Sequence, residues 1–255
     1  MSFFKINFFM FLSKNFCFIE LEKTATASIK DTFLRHIPDG KSIGQHNFID
    51  EVQIKTEPIF IGSIRNPYDW YISRWSFGCS RKYRDSLYKN LLKKRFRPAR
   101  NKSIEGQHLQ KFYYTFNQLL KSKKYWENLY SDSQNPKKFR EWIKSLLLYN
   151  RSRDLAEQYY FSSLYKKFGY LTFRYLIMFT KPQARNLLFN GSIKDQNDIE
   201  NFDKKFNYIS NYIKFESLDQ DMNKILQSSN ITLYNRIPMT NSSFRERDIN
   251  YYYDE

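Results

Sequence analysis

The chain of 255 residues is short of the residue types that build metal tetrads, disulfide frameworks and low-complexity polymers: it has two cysteines, three histidines, seven glycines and seven prolines. Cys17 and Cys79 cannot form a zinc tetrad alone, and His36, His46 and His108 stand at no metal-ligand spacing, so no metal is expected. Nothing demands a disulfide, which leans toward a reducing compartment, and Cys17, inside an apolar run, reads as a small buried hydrophobe. Long hydrophobic runs are missing as well. The longest, at 3–19, is broken by Lys5, Asn7, Ser13, Lys14 and Asn15, too polar for a membrane span and without the small-residue pattern of a cleaved signal. With no anchor and a first strand near residue 15, the expected location is the cytoplasm.

Acids are scarce too. Lys and Arg number 42 against 26 Asp and Glu, a formal charge of +16, and such a field concentrates anions: nucleotides, sulfated glycans, nucleic acid, acidic lipid. What is abundant is aromatic: 24 Phe, 20 Tyr and 4 Trp give the chain enough apolar area to offset the entropy of ordering, which excludes a disordered polycation. A single domain over 1–255 is expected, with 80–205 largely helical and basic.

Residues 15–21 (NFCFIEL) read as a buried strand, and 27–35 follow in helical periodicity with Ile29 and Phe33 on one side. Residues 57–64 (EPIFIGSI) repeat the pattern, a near-continuous apolar run of the kind found in a strand covered on both faces. The helix after it has Asn66 as N-cap, Pro67 at the first position and Asp69 in the first turn. Both are βα units. Residues 81–102 are intensely basic, reading as a solvated helix and loop or as an acceptor-binding surface. Residues 105–180 read as mostly helical, with Trp126 and Trp142 in the core. Residues 211–215 read as a strand, 218–226 as a helix, and 240–247 as a loop rich in Ser and Arg.

Two segments carry chemistry. Glu22-Lys23-Thr24-Ala25-Thr26-Ala27-Ser28 lies where a strand stops and a helix starts. Small side chains let a ligand approach the backbone, N–H groups at a helix start face anions, and a lysine with hydroxyls adds donors. It is a phosphate cradle in kind, or an ordinary helix cap, but not a Walker A loop, which needs glycines before the lysine. The second is Arg65-Asn66-Pro67-Tyr68-Asp69 with Ser73 two helical turns past the cap, where a guanidinium fork and a hydroxyl could share one phosphate.

Lys-Thr-x-x-x-Ser after the first strand, and Arg-Asn-Pro-Tyr-Asp with a Ser eight residues after the Arg on a later one, together resemble the sulfotransferase superfamily, the carbohydrate (uronosyl-type) O-sulfotransferases most of all. The resemblance implies an α/β, P-loop-like three-layer fold with a mostly parallel central sheet flanked by helices and a helical insertion. It implies 3′-phosphoadenosine 5′-phosphosulfate (PAPS) as donor and a hydroxyl-bearing acceptor, with a glycan as one candidate, and no metal. By the same resemblance Lys23 contacts the leaving phosphate, Thr24, Ala25, Thr26, Ala27 and Ser28 form the cradle, and Arg65 and Ser73 hold the 3′-phosphate. Ile213-Lys214-Phe215-Glu216-Ser217-Leu218 is similar to the family's strand-then-FE-x-L segment, and Ser243 and Arg245 to its closing loop. Glu22 takes the place of the usual proline and must point away or pair with a cation, while Ala25 and Thr26 stand where glycines are usual. Relatives usually continue past the position of Glu255 into a final helix.

Transfer to an alcohol needs a base. His46, in Gly44-Gln45-His46 ahead of the second βα unit, resembles in placement the histidine that serves as base in the glycan branch, and an imidazole in general titrates near working pH; a surface-loop histidine is the other reading. Glu20, Glu22 and Glu51 are reserves, whereas His36 suits the end of the first helix. Two other readings stay open: a basic nucleic-acid or polyanion-binding module without catalysis, driven by the 81–102 cluster, and a nucleotide kinase, weakened by the missing Walker glycines. On the sulfotransferase reading no specific nucleic acid is a partner.

Overall fold

The structure is a computed structural model that describes residues 10–43, 59–80, 86–92, 116, 119–147, 151, 154, 158–165, 167–227, 237–238 and 247–254. Its centre is a five-stranded mixed sheet. The strands are β1 (Met10–Leu12), β2 (Phe16–Ile19), β3 (Lys41–Ile43), β4 (Ile59–Ile64) and β5 (Asn211–Lys214), in the order β3-β1-β2-β4-β5. β2 pairs with β4 and β4 with β5 in parallel, but β1 pairs antiparallel with both β2 and β3. The mostly parallel sheet expected from the sequence is therefore corrected to a mixed one. The polar break at Ser13, Lys14 and Asn15 is the reason: it is a tight turn, with Ser13 N–H donating to the Phe16 carbonyl at 2.9 Å, and it folds the apolar run preceding it back as a second strand.

Side chains on the parallel strands alternate between two cores, as period two requires. Phe16, Phe18, Ile61 and Ile213 enter one with helices α1 (Thr26–His36) and α9 (Leu218–Gln227). Cys17, Ile19 and Phe60 enter the other. That larger core holds residues from α2 (Pro67–Cys79), α3 (Ser86–Leu92), α4 (Lys123–Leu129), α5 (Pro136–Leu147), α6 (Gln158–Phe161), α7 (Tyr170–Phe179), α8 (Gln196–Phe206) and the short α10 (Ile249–Tyr253). Helices therefore cover both faces. Trp126 and Trp142 are fully buried there and Cys17 nearly so, in agreement with their reading as core; Trp70 and Trp75 are fully buried with them. Gly62 lets α7 come close to β4: a Cβ there would lie 3.1 Å from the Phe179 ring.

Between α2 and β5 every described element is helical, α- or 3-10. No described helix is long and apolar enough to cross a membrane. The last described residues include a short helix that the sequence did not announce: in α10 Tyr252 is fully buried against Trp75 and Phe139. Tyr253 stacks edge-on against Tyr68 and donates its hydroxyl to the Tyr68 carbonyl at 3.1 Å.

Because β2, β4 and β5 run parallel and in near register, their carboxyl ends lie along one edge of the sheet, where open α/β sheets bind ligands. The loop 20–25, the turn Arg65-Asn66 and the turn Phe215–Ser217 leave from that edge.

Candidate functional site

The loop after β2 is fastened by its carbonyls. The Thr24 hydroxyl donates to the Leu21 carbonyl and shares a hydrogen bond with the Ser63 hydroxyl of β4, both at 2.5 Å. The Trp70 indole N–H donates to the Glu22 carbonyl at 2.6 Å, and Arg65 Nη1 to the Lys23 carbonyl at 3.1 Å. Ile29 N–H, in the first turn of α1, reaches the Ala25 carbonyl at 3.0 Å. Four carbonyls of the loop, those of Leu21, Glu22, Lys23 and Ala25, are thereby engaged. Ala25, the N-cap of α1, makes no side-chain cap bond, and the first turn contains no acid, so the amino end of an 11-residue helix is left without the local anion that usually covers it.

Two residues of the loop are left-handed, Lys23 at φ 69° and Ala25 at φ 62°. The sequence had put the substituted glycine positions at Ala25 and Thr26. Only the first is left-handed, since Thr26 already belongs to α1.

Glu22, expected to point away or to pair with a cation, pairs. Arg174 of α7 grips it at both oxygens, Nε to Oε1 and Nη2 to Oε2, each at 2.9 Å, and Arg74 Nη1 of α2 lies 3.4 Å from Oε1. Burial alone would raise this carboxyl's pKa, but Arg174 and Arg74 outweigh it and hold the pKa at about 2. A carboxylate so strongly held in the ionised form is too weak a base for an alcohol, which removes Glu22 from the reserve bases. Glu20 behaves oppositely. It is buried, with Lys30 of α1 at 3.7 Å, and desolvation prevails over the single ammonium, pushing its pKa up to about 8.

The second segment forms as read. Asn66 caps α2, its side chain accepting from Tyr68 N–H at 2.9 Å, with Pro67 at the first position. From the third strand's edge, Glu216 Oε1 accepts the Asn66 N–H at 2.7 Å, and the Phe215 ring lies 3.7 Å from the Arg65 guanidinium. Arg65 also donates through Nε and Nη2 to the same oxygen of Asp69, each at 2.5 Å. Ser73 lies buried further along α2. The Lys23 ammonium rests over the ring of Phe77, also on α2, 2.8 Å from its centre.

The structure thus brings together Lys23, Arg65, Phe215 and Glu216. It turns the Thr24 hydroxyl inward, so that Thr24 can serve a ligand through its backbone alone. Thr26, Ala27 and Ser28 form the first turn of α1. His46, Glu51, His108, Ser243, Arg245 and most of the 81–102 cluster lie outside the described residues. Sequence reasoning overlooked Arg74 and Arg174. A signal for the latter was present: one arginine inside the otherwise apolar YLTFRYLIMF needs a buried anion, and Glu22 is that anion. Among the described residues that these contacts join, four cations (Lys23, Arg65, Arg74, Arg174) stand with three carboxylates (Glu22, Asp69, Glu216), one net positive charge. No family profile, curated protein or solved structure matches the chain.

Proposed function

We propose that this chain is a sulfotransferase. It moves a sulfuryl group from PAPS to a hydroxyl, with a carbohydrate as the candidate acceptor, on a P-loop-like scaffold. The observation that carries the reading is the bond from Arg65 to the Lys23 carbonyl. Each resembling segment alone is an ordinary helix start; two of them, 42 residues apart in the chain and joined side by side at the carboxyl ends of parallel strands, make one place suited to a ligand with phosphate at both ends. The uncapped start of α1 fits an anion, and the retained cations fit its charge.

Transfer is an in-line displacement. The acceptor oxygen bonds to sulfur as the bond from sulfur to the phosphate oxygen breaks, the acceptor's proton goes to a base, and the electron pair leaves with the phosphate. Lys23 neutralises that leaving phosphate, which requires its ammonium to swing off the Phe77 ring. Backbone N–H groups over 24–28 hold the same phosphate, while Arg65 and Ser73 take the 3′-phosphate and Ser243 with Arg245 close the site. His46 is the base; Glu20, with a pKa near 8, is the described alternative.

The test is thermal stabilisation by 3′-phosphoadenosine 5′-phosphate (PAP) against AMP, ADP and ATP, at one ionic strength and without magnesium, on wild type and Arg65→Ala. At a hundredfold excess over Kd, linkage stabilises the protein by about 2.7 kcal/mol, and the shift should be selective for PAP and lost in Arg65→Ala. In assays of transfer, Lys23→Ala should lose turnover far more than PAP affinity. No selective shift, together with steeply salt-dependent binding of polyanions, would favour the second reading, a basic polyanion-binding module, for which the net charge of +16 speaks.

A further inference from the structure

Arg65 is read above as the grip for a phosphate, yet its most useful edge is already taken. Nε and Nη2 form the side-on fork that matches a carboxylate or phosphate, and both end on Asp69 Oδ2. The two side chains are 12% and 9% exposed, so water does little to weaken the pair. One face of the guanidinium is covered by Phe215 and Nη1 is bonded to the Lys23 carbonyl. An arriving phosphate must therefore displace Asp69 or share the guanidinium with it.

We propose that Asp69 is an internal stand-in for the phosphate: a positioning residue that holds Arg65 in place when the site is empty and is exchanged for the ligand's phosphate when it fills. The proposal rests on the donor reading of Arg65. Three features of the protein support it. The carboxylate comes from the first turn of the same helix, four residues on, so it stays tethered beside Arg65 in both states. Asn66, Pro67 and Glu216 fix the start of α2 without Asp69, so the carboxylate is not needed as a cap. Its negative charge cancels the guanidinium's attraction for a distant anion, leaving selectivity to contact geometry.

The exchange has a kinetic consequence. A ligand phosphate that competes with a tethered carboxylate binds less tightly than one meeting an unoccupied guanidinium, and the same competition applies to the product, whose departure limits many turnovers. Asp69 weakens ground-state binding at both ends of the reaction.

The experiment measures PAP, AMP and pyrophosphate affinities by calorimetry on wild type, Asp69→Asn, Asp69→Glu and Asp69→Asn combined with Arg65→Ala. Asn keeps the size and one acceptor oxygen but not the charge. The expected result is PAP bound roughly tenfold or more tightly by Asp69→Asn, from removal of one like charge beside the phosphate. AMP should be unchanged, Asp69→Glu no tighter than wild type, and the gain absent in the double variant. In transfer assays Asp69→Asn should lower the donor KM and lower kcat with it, a split that mere loosening of α2 would not produce. Unchanged or weaker PAP binding by a folded Asp69→Asn, with wild type binding PAP selectively, overturns the proposal. If wild type shows no preference for PAP over AMP, the donor reading fails and pyrophosphate decides: tightening in Asp69→Asn that the double variant lacks upholds the exchange at Arg65, and no tightening overturns it.

Discussion

The two helices that start at the sheet's edge begin in opposite ways. α2 is closed by its own sequence: Asn66 caps it, Pro67 needs no partner for a missing N–H, and Asp69 adds charge in the first turn. α1 starts without a side-chain cap and without an acid, after a loop with two left-handed residues, and is held from outside by Trp70, Arg65, Arg74 and Arg174. A helix start whose carbonyls are tied down by distant groups, and whose N-cap residue makes no side-chain cap bond, takes its shape from tertiary packing. The contrast separates a turn completed largely by its own residues from one held mainly by distant groups, although both looked alike as strand-to-helix junctions.

The largest effect should come from cutting the outside support. Arg174→Met leaves Glu22 with Arg74 alone, and breaking a buried pair from one side is costly. The expected loss is about 2–4 kcal/mol in urea unfolding, somewhat below the fully buried case because the Glu22 side chain is 24% exposed. The pH dependence should change with it. A depressed carboxyl stabilises the fold above its unfolded pKa of about 4.5 and loses that contribution as pH falls toward about 2. Wild type should therefore lose stability across that window more steeply than Arg174→Met. Equal slopes would mean that Arg174 is not what holds Glu22 ionised.

Glu20, two residues earlier, should show the reverse sign. Its folded pKa is raised from 4.5 to about 8, so the folded state is favoured while the carboxyl is neutral, and stability declines as pH rises from about 4.5 through 8. Glu20→Gln keeps the shape without the ionisation. It should match wild type near pH 4 and exceed it near pH 9 by at least about 1 kcal/mol, seen as a melting shift that grows with pH. A constant difference would remove the titration of Glu20 as its cause.

These cases also mark what the sequence could say. The α2 start was legible residue by residue, because capping, proline at the first position and acids in the first turn are local rules. So were the apolar strands and the burial of Trp126 and Trp142. The β1 hairpin was not: three residues of strand carry no period of their own, and Ser13-Lys14-Asn15 read as an interruption rather than as a turn. That Glu22 must point away or pair with a cation followed from its chemistry, but the donors are set by tertiary packing, Arg174 lying 152 residues away in the chain. Likewise the Arg65 fork was visible as a phosphate grip, while its occupation by Asp69 depends on side-chain geometry that spacing does not fix.

A smaller effect tests the closed start. Asn66→Ala removes one cap acceptor, and about 1 kcal/mol of stability should go with it, with the loop of α1 unaffected. PAP binding should then remain within about twofold of wild type when measured well below the melting temperature. A large loss of binding would mean that the cap itself, beyond Glu216 and Pro67, sets the position of Arg65.

The smallest effect is the sharpest, since it turns on one backbone angle. Ala25 sits at φ 62°, where an L-residue with a Cβ is strained by roughly 1–2 kcal/mol. Glycine relieves that strain but gives back about 0.5–1 kcal/mol through the freedom it gains when unfolded. Ala25→Gly should therefore be stabilising by a few tenths to about 1 kcal/mol in urea unfolding. Thr26→Gly, one residue on and inside α1, has no strain to relieve and should destabilise. Opposite signs at adjacent positions would locate the boundary between an externally shaped loop and a helix. Destabilisation at both would mean that Ala25 is helical in solution, and α1 would then begin one residue earlier, without the left-handed turn that sets it apart from α2.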